Sequence, residues 1–295
     1  RALHRVPEGY ATLIGNSTVD IMPTEIAELY YYKMNYCARP IPQTYSAYDE
    51  YLDAKNAEKL TSDSGPEYLL YTNEAIDHRH PFWDESITKR AMLSHYELIA
   101  KDSMLDIATR FNEDRYLYLN PDVKASVETG VFKNGYEHYL RFGREESRQI
   151  ISPGTTVFLL FKKRKTPLAM KVKKERSAIV KIGEELNISK TDHLQYLYAD
   201  IQYNFLGKIQ RLLFQPPQID VIVKYEDGST QRYQAIVPIM KTGVLINKKV
   251  DSKNDAIVFF MYQAGRNQNI SSIRFEASNG FDGSIRATIK EILFE

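Results

Sequence analysis

The chain has 295 residues, 43% of them hydrophobic, with 39 Lys and Arg against 38 Asp and Glu. Such a length exceeds one small core and divides into two or three domains. The even charge leaves no global field to draw in nucleic acid or an anionic membrane, and the single Cys37 excludes an internal disulfide or a cysteine-rich metal site. No run approaches the roughly 18–20 apolar residues of a membrane span, and none of the given sequence is expected to be a signal peptide. The chain opens on Arg1 rather than Met, and is expected to be a fragment or a processed product. Its 21 tyrosines suit sheet surfaces and sugar-facing surfaces alike.

In chain order, TVDIM (18–22) reads as a short buried strand, and Pro23-Thr24 open a helix over EIAELYYYKMN. The prolines of ARPIPQTYSAYDEYL forbid a regular helix until about Ser46. From there AYDEYLDAKNAEKL has helical spacing as far as Ser64-Gly65. Pro66 precedes a second strand, EYLLYT, and IDHRHPFWDE is loop. Ser86 is read as the cap of a helix over ITKRAMLSHYEL, and LIAKDSMLDIAT as a hairpin around Lys101–Ser103. This alternation predicts a small α/β layer.

The next stretch, 111–152, is helical. Asn120-Pro121-Asp122 starts a helix that Gly130 closes, and GYEHYLRFG repeats the scheme up to Gly143. Leu117, Val123, Val127, Phe132, Tyr136, Tyr139 and Leu140 supply one apolar side. A unit of this size needs a neighbour to pack on. After Pro153-Gly154 the texture turns to strands: TTVFLLFKK, SAIVKIGEEL, QYLYADIQYNF, GVLINKKV, AIVFFMYQ, SIRFEAS and SIRATIKEILF. The clearest local signal is IDVIVKYEDGSTQRYQAIVP, two alternating runs joined at Asp227-Gly228 as a β-hairpin. LGKIQRLLFQPP interrupts as a few helical turns. The basic runs KKRK (162–165) and KVKKER (171–176) read as solvated strand ends or loops.

Two parts of the chain resemble known sequences. STVDIMPTEIAELY, ARPIPQTYSAYDEYLDAKNAEKL, PEYLLYT and IDHRHPFWDE, then YNFLGKIQRLLFQPPQIDVIVKYEDGSTQRYQAIVP, TGVLIN and ISSIRFEA, resemble the region after the last membrane span of a bacterial polytopic family. That family is related to lipid-linked-sugar glycosyltransferases of the dolichyl-phosphate-mannose mannosyltransferase type. The likeness covers about three quarters of the chain and implies an extracytoplasmic soluble region attached to a membrane-embedded transferase core. Its HYELIAKDS strand would run on to TTVFLLFKKRKTPL, so the intervening piece is an insertion. That piece is similar to a short module found beside glycosyltransferases and in surface proteins. The match runs over Tyr116, Leu117, Asn120–Val123, Gly130, Phe132, His138-Tyr139, Gly143 and Arg148. The resemblance carries no chemistry for the module.

The expected fold is α+β and multi-domain: a small α/β domain (1–110, completed by a strand at 155–165), the inserted helical module (111–152), and an antiparallel β-sandwich (167–295). The densest candidate site is the loop holding Asp77, His78, Arg79, His80, Trp83, Asp84 and Glu85. Asp77 and Asp84 have the residue types of a glycosidic acid/base pair, and Trp83 those of a sugar-stacking platform. The same residues also read as a loop pinned by an Asp77–Arg79 pair with Trp83 in the core. Arg39, Tyr45 and Tyr48 lie on a proline-stiffened loop, which suits polyol recognition because little ordering entropy is lost on binding; packing against the sheet explains that loop as well. His78 and His80 have no third ligand signalled, and His138 reads as hydrogen-bonded within its module, so no metal is expected. Nucleophile-elbow, P-loop and dinucleotide motifs are absent, and no cofactor is expected.

The favoured reading is a non-catalytic extracytoplasmic region, periplasmic or at the cell surface and tethered by a missing N-terminal membrane portion. It would bind or position a glycan, lipid-linked sugar or acceptor through Arg39, Tyr45, Tyr48, Asp77, Arg79, Trp83 and Asp84. The competing readings are an independent glycan-active enzyme using Asp77 and Asp84, and a protein–protein assembly module.

Overall fold

The computed structural model describes residues 6–72, 79–80, 82–101, 113–143, 146, 158–191, 193–205, 208–209, 218–226, 228–247, 269–277 and 283–295. They form helices and three sheets, a mixed α+β arrangement. The first sheet has five strands, β1 (Thr18–Met22), β2 (Asn35–Tyr36), β3 (Tyr68–Tyr71), β4 (Tyr96–Lys101) and β5 (Leu159–Lys163), in the order β2-β1-β3-β5-β4. β1, β2 and β3 run parallel, and β5 lies antiparallel between β3 and β4.

Parallel neighbours need long crossovers, and these are helical. Helices α1 (Glu8–Ile14) and α2 (Ile26–Tyr31) cover one face, where Tyr10, Ile14 and Leu29 pack on Val19, Ile21, Leu70 and Leu160. Helices α3 (Glu50–Thr61) and α4 (Ser86–His95) cover the other, where Leu60 and Met92 share a cluster with Met22, Leu69, Tyr71, Leu159 and Phe161. A strand covered on both faces is apolar throughout, as YLLY is.

Several local expectations need correction. The helix predicted over 25–35 stops at Tyr31, because Lys33 adopts φ +52° and turns the chain into β2, which was not foreseen. The helix predicted to reach Leu98 ends at His95. Tyr96 begins a strand, its hydroxyl donating to the carbonyls of Pro66 at 2.7 Å and Leu60 at 3.2 Å. The segment read as half of a hairpin, Leu98–Lys101, belongs to β4 and pairs with β5 instead. The rest of that predicted hairpin lies outside the described residues. Ser86 does not cap α4; Asp53 of α3 does, accepting from the amides of Ile87 and Thr88 at 2.9 Å each.

Residues 113–143 form a separate helical unit of α5 (Glu113–Leu119), α6 (Pro121–Glu128) and α7 (Gly135–His138), continued by a π-helical turn over Tyr139–Gly143. Gly130 closes α6 at φ +78°, and Tyr116, Val123 and Tyr139 form a small core. Gly143 sits against the Tyr116 and Tyr139 rings, leaving no room there for a side chain.

The remaining strands make two antiparallel four-stranded sheets. One has the order β11-β8-β13-β6, from β11 (Val244–Asn247), β8 (Leu194–Tyr203), β13 (Gly283–Phe294) and β6 (Met170–Lys181). The other has the order β10-β9-β12-β7, from β10 (Thr230–Ala235), β9 (Ile219–Tyr225), β12 (Ile270–Ala277) and β7 (Glu185–Asn187). The β9–β10 hairpin forms as predicted, with Gly228 at φ +81°; Asp227 lies outside the described residues. Helix α8 (Val237–Met240) follows it. KVKKER is not a strand end but the exposed body of edge strand β6. The predicted strand 256–263 and most of 206–217 lie outside the described residues. One buried cluster runs from the α3/α4 face of the first sheet through Phe82 and Trp83 to residues of both antiparallel sheets.

Candidate binding site at the carboxyl edge of the mixed sheet

In β2-β1-β3 the chain steps from β1 to one side and then crosses to the other, so a topological switch point lies between β1 and β3. Open α/β sheets bind ligands outside the carboxyl ends of their strands at such a point. The loop after β2 carries Arg39, Tyr45 and Tyr48, and the loop after β3 carries Arg79, His80, Trp83, Asp84 and Glu85. The candidates scattered along the sequence therefore leave from one edge. Asp77 lies outside the described residues.

Arg39 is 1% exposed. Its Nε stands 3.4 Å from Asp20 Oδ2 on β1, and its Nη2 donates to the carbonyls of Pro42 at 2.8 Å and Ile21 at 3.3 Å. Burial works against its charge, but Asp20, Glu85, Tyr36 and Tyr71 more than compensate and hold it cationic. Burial dominates at Asp20 and raises its carboxyl above the usual range, with Arg39 opposing. Nη1 of Arg39 and the hydroxyl of Thr72, just past β3, have no hydrogen-bond partner among the described residues.

Glu85 is fully buried at φ +50°. Thr44 donates to its Oε2 at 2.9 Å, and Asn56 of α3 donates to its Oε1. Asn56 also exchanges hydrogen bonds with the backbone of Ile41, at 2.9 Å and 2.7 Å. One asparagine thus ties the proline loop, α3 and the loop after β3 together. Lys89 of α4 is buried beside Phe82, 5.5 Å from the ring centroid. Burial lowers its pKa to about 8, against the opposing pull of Asp84, Glu85 and Asp53. The carboxyls of Asp53, Asp84 and Glu85 are all raised, chiefly by burial.

Arg79 does have a carboxylate partner, Asp84, at 3.5 Å, and it donates to the Tyr45 carbonyl at 3.3 Å. This ties the two predicted binding loops to each other. Tyr45 is half-buried, and Tyr48 stands 58% exposed at the start of α3. The glycosidic spacing of Asp77 and Asp84 is not defined by the described residues.

Trp83 is placed where it cannot serve as a sugar platform. It is 4% exposed, stacked on His80 at 4.7 Å and packed against Tyr233 of β10, and its Nε1–H donates to the Leu245 carbonyl of β11 at 2.9 Å. Edge strand β11 is thereby capped from the α/β layer. His80 accepts from the Phe82 amide at Nδ1, and burial with Lys89 nearby lowers its pKa to about 3, so it is neutral. Arg90 of α4 was not singled out from sequence. It donates to the carbonyls of Thr242 and Gly243 at 2.6 Å each, with its guanidinium 5.5 Å and 5.8 Å from the rings of Tyr196 and Tyr198. Its only sequence trace is its place one turn beyond Ser86.

Among the described residues no group of three or more His, Cys, Asp or Glu is arranged to hold a metal ion, and no helix is long and apolar enough to cross a membrane. No protein-family model matches the chain, no curated protein is similar to it, and no solved structure matches it.

Proposed function

We propose that this chain is the non-catalytic extracytoplasmic region of a glycosyltransferase-like bacterial membrane protein, and that it binds or positions a glycan or acceptor at the carboxyl edge of its mixed sheet. The two antiparallel sheets make a β-sandwich that braces this layer through Trp83 and Arg90. The observation that supports the reading is the convergence of two polar, aromatic loops over the β1/β3 switch point. Tyr48 stands at the rim, half-buried Tyr45 beside it, and the Arg79–Asp84 pair joins the loops. Such a pre-ordered polar and aromatic rim loses little entropy on holding a polyol.

The test is a glycan array on the purified chain, followed by calorimetric titration of the best glycan against wild type and Tyr48→Ala. Tyr48 is exposed, so the substitution should leave the melting temperature unchanged and weaken binding about tenfold, the scale of one 1.4 kcal/mol contact. An array without a hit, or a hit indifferent to Tyr48→Ala, rejects the site. Turnover of a lipid-linked sugar donor by the chain alone would reject the non-catalytic part. Membrane-spanning segments encoded upstream of Arg1 would support the proposed tethering.

A further inference from the structure

We infer that strand β6 lays this chain on an anionic phospholipid surface, its lysines and arginine on the phosphates and Met170, Val172 and Ile179 among the headgroups. The inference goes beyond the glycan site and does not depend on it. The first ground is a pattern of exposure. Residues of a sandwich strand alternate between the covered inner face and the open outer one. The neighbouring β13 does so, with Ile285, Ala287 and Ile289 buried and Arg286 exposed. In β6 every residue from Met170 to Ile179 is exposed, although Ala178 and Arg176 are the cross-strand partners of Ala287 and Ile289. The other sheet ends in β7, only three residues long, which meets β6 where Arg176 donates to the Asn187 carbonyl at 2.6 Å. Strand β6 is thus open on both faces and along its outer edge.

The second ground is charge. The even balance of the whole chain conceals a local excess, for β6 carries Lys171, Lys173, Lys174, Arg176 and Lys181 against Glu175. Lys290 of β13 takes Glu175 at 3.2 Å, and Lys171 pairs with Glu295. Lys173, Lys174, Arg176 and Lys181 have no carboxylate within ion-pair distance among the described residues. Between these cations stand Met170 and Val172, each 48% exposed, and Ile179 at 74%. Cations and apolar side chains interleaved on one open element suit a lipid interface, where basic groups meet phosphates and apolar tips enter the headgroup layer. Two other occupants fit less well. The register shift at Lys173 breaks the backbone edge in mid-strand, which works against an added peptide strand. A second copy paired along β6 would set lysine against lysine.

The experiment is flotation of the purified chain with vesicles of phosphatidylcholine, alone or mixed with phosphatidylglycerol. The chain should float with the mixed vesicles, stay behind with phosphatidylcholine alone, and be released by high salt. Each cation at such a surface is worth about fivefold in partitioning. Lys173→Gln combined with Lys174→Gln should therefore weaken binding about twentyfold at an unchanged melting temperature. Ile179→Thr, which keeps the β-branch, should weaken it severalfold. Lys224→Gln combined with Lys241→Gln removes the same charge from exposed positions on β9 and just after α8, and should leave binding intact. No flotation with the mixed vesicles, or equal losses in the two double variants, overturns the inference. Preference for a soluble glutamate-rich peptide over the mixed vesicles overturns it too, in favour of strand addition. Glycan binding should be the same in all these variants, so the two proposals fail separately.

Discussion

Arg39 and Arg232 are the same side chain in opposite surroundings. Arg39 lies in the loop after β2, 1% exposed, facing Asp20 and held by two backbone carbonyls. Arg232 lies on β10 with its side chain 61% exposed, reaching Asp220 of β9 at 2.9 Å and Glu276 of β12 at 2.7 Å. Its pairs run across three strands of one outer face and follow from the ladder register. Around Arg39 only the Pro42 carbonyl is local; Asp20 and the Ile21 carbonyl reach it because the crossovers of a parallel sheet bring separate segments to one edge. Buried charge in this molecule is a product of topology, and surface charge a product of alternation. The two regions should therefore answer perturbation on different scales.

The largest expected effect belongs to His80, in the buried region. Its pKa in the folded chain is about 3, against 6.5 ordinarily. Between those values the unfolded chain takes up a proton and the folded chain does not, so lowering the pH favours unfolding. The contribution is complete above pH 6.5 and is lost on descent towards pH 3, by up to about 5 kcal/mol. The raised carboxyls of Asp20, Asp53, Asp84 and Glu85 act in the opposite direction, so the measurement is a difference. Urea denaturation of wild type and His80→Gln from pH 7 to pH 3 should show wild type losing stability relative to the variant as pH falls. Parallel curves would mean that His80 is not held neutral at the seam.

Arg39→Met is expected to cost about 3–5 kcal/mol, because it strands the buried Asp20 carboxyl without the guanidinium that faces it. The loss should be insensitive to salt, and adding Asp20→Asn to the variant should recover part of it. Chemical denaturation of the two single variants and the double variant closes the cycle. A cost near zero for Arg39→Met would show that water already solvates the group, and would erase the contrast with Arg232.

The same division explains what could be read from the residues alone. Thr18–Met22 was legible to the residue, since a short β-branched run ahead of a proline has few alternatives. The β9–β10 hairpin was legible because alternation and a turn glycine agree. Lys33 gave no sign that it would turn left-handed and cut α2 short, nor Asn35-Tyr36 that it would pair with β1. The candidate loops were legible as stiff, polar and aromatic. Their meeting at one edge was not, because it depends on strand order. Trp83 was open to two readings, sugar platform or core, and only long-range packing against Tyr233 and Leu245 selects the core.

Arg232→Ala is the smallest expected effect and the control that gives the others meaning. An exposed ion pair gains little in water and gives back side-chain entropy, so even this cluster of Arg232 with two carboxylates should contribute less than about 1 kcal/mol. Salt should shrink what there is, because at 1 M the screening length is about 3 Å, close to the spacing of the pair itself. Urea denaturation of wild type and Arg232→Ala at low and high sodium chloride should therefore converge as salt rises. Arg39→Met should keep its full deficit under both conditions. If Arg232→Ala instead cost as much as Arg39→Met and ignored salt, that outer face would be covered in solution, and the contrast would lie between two buried sites.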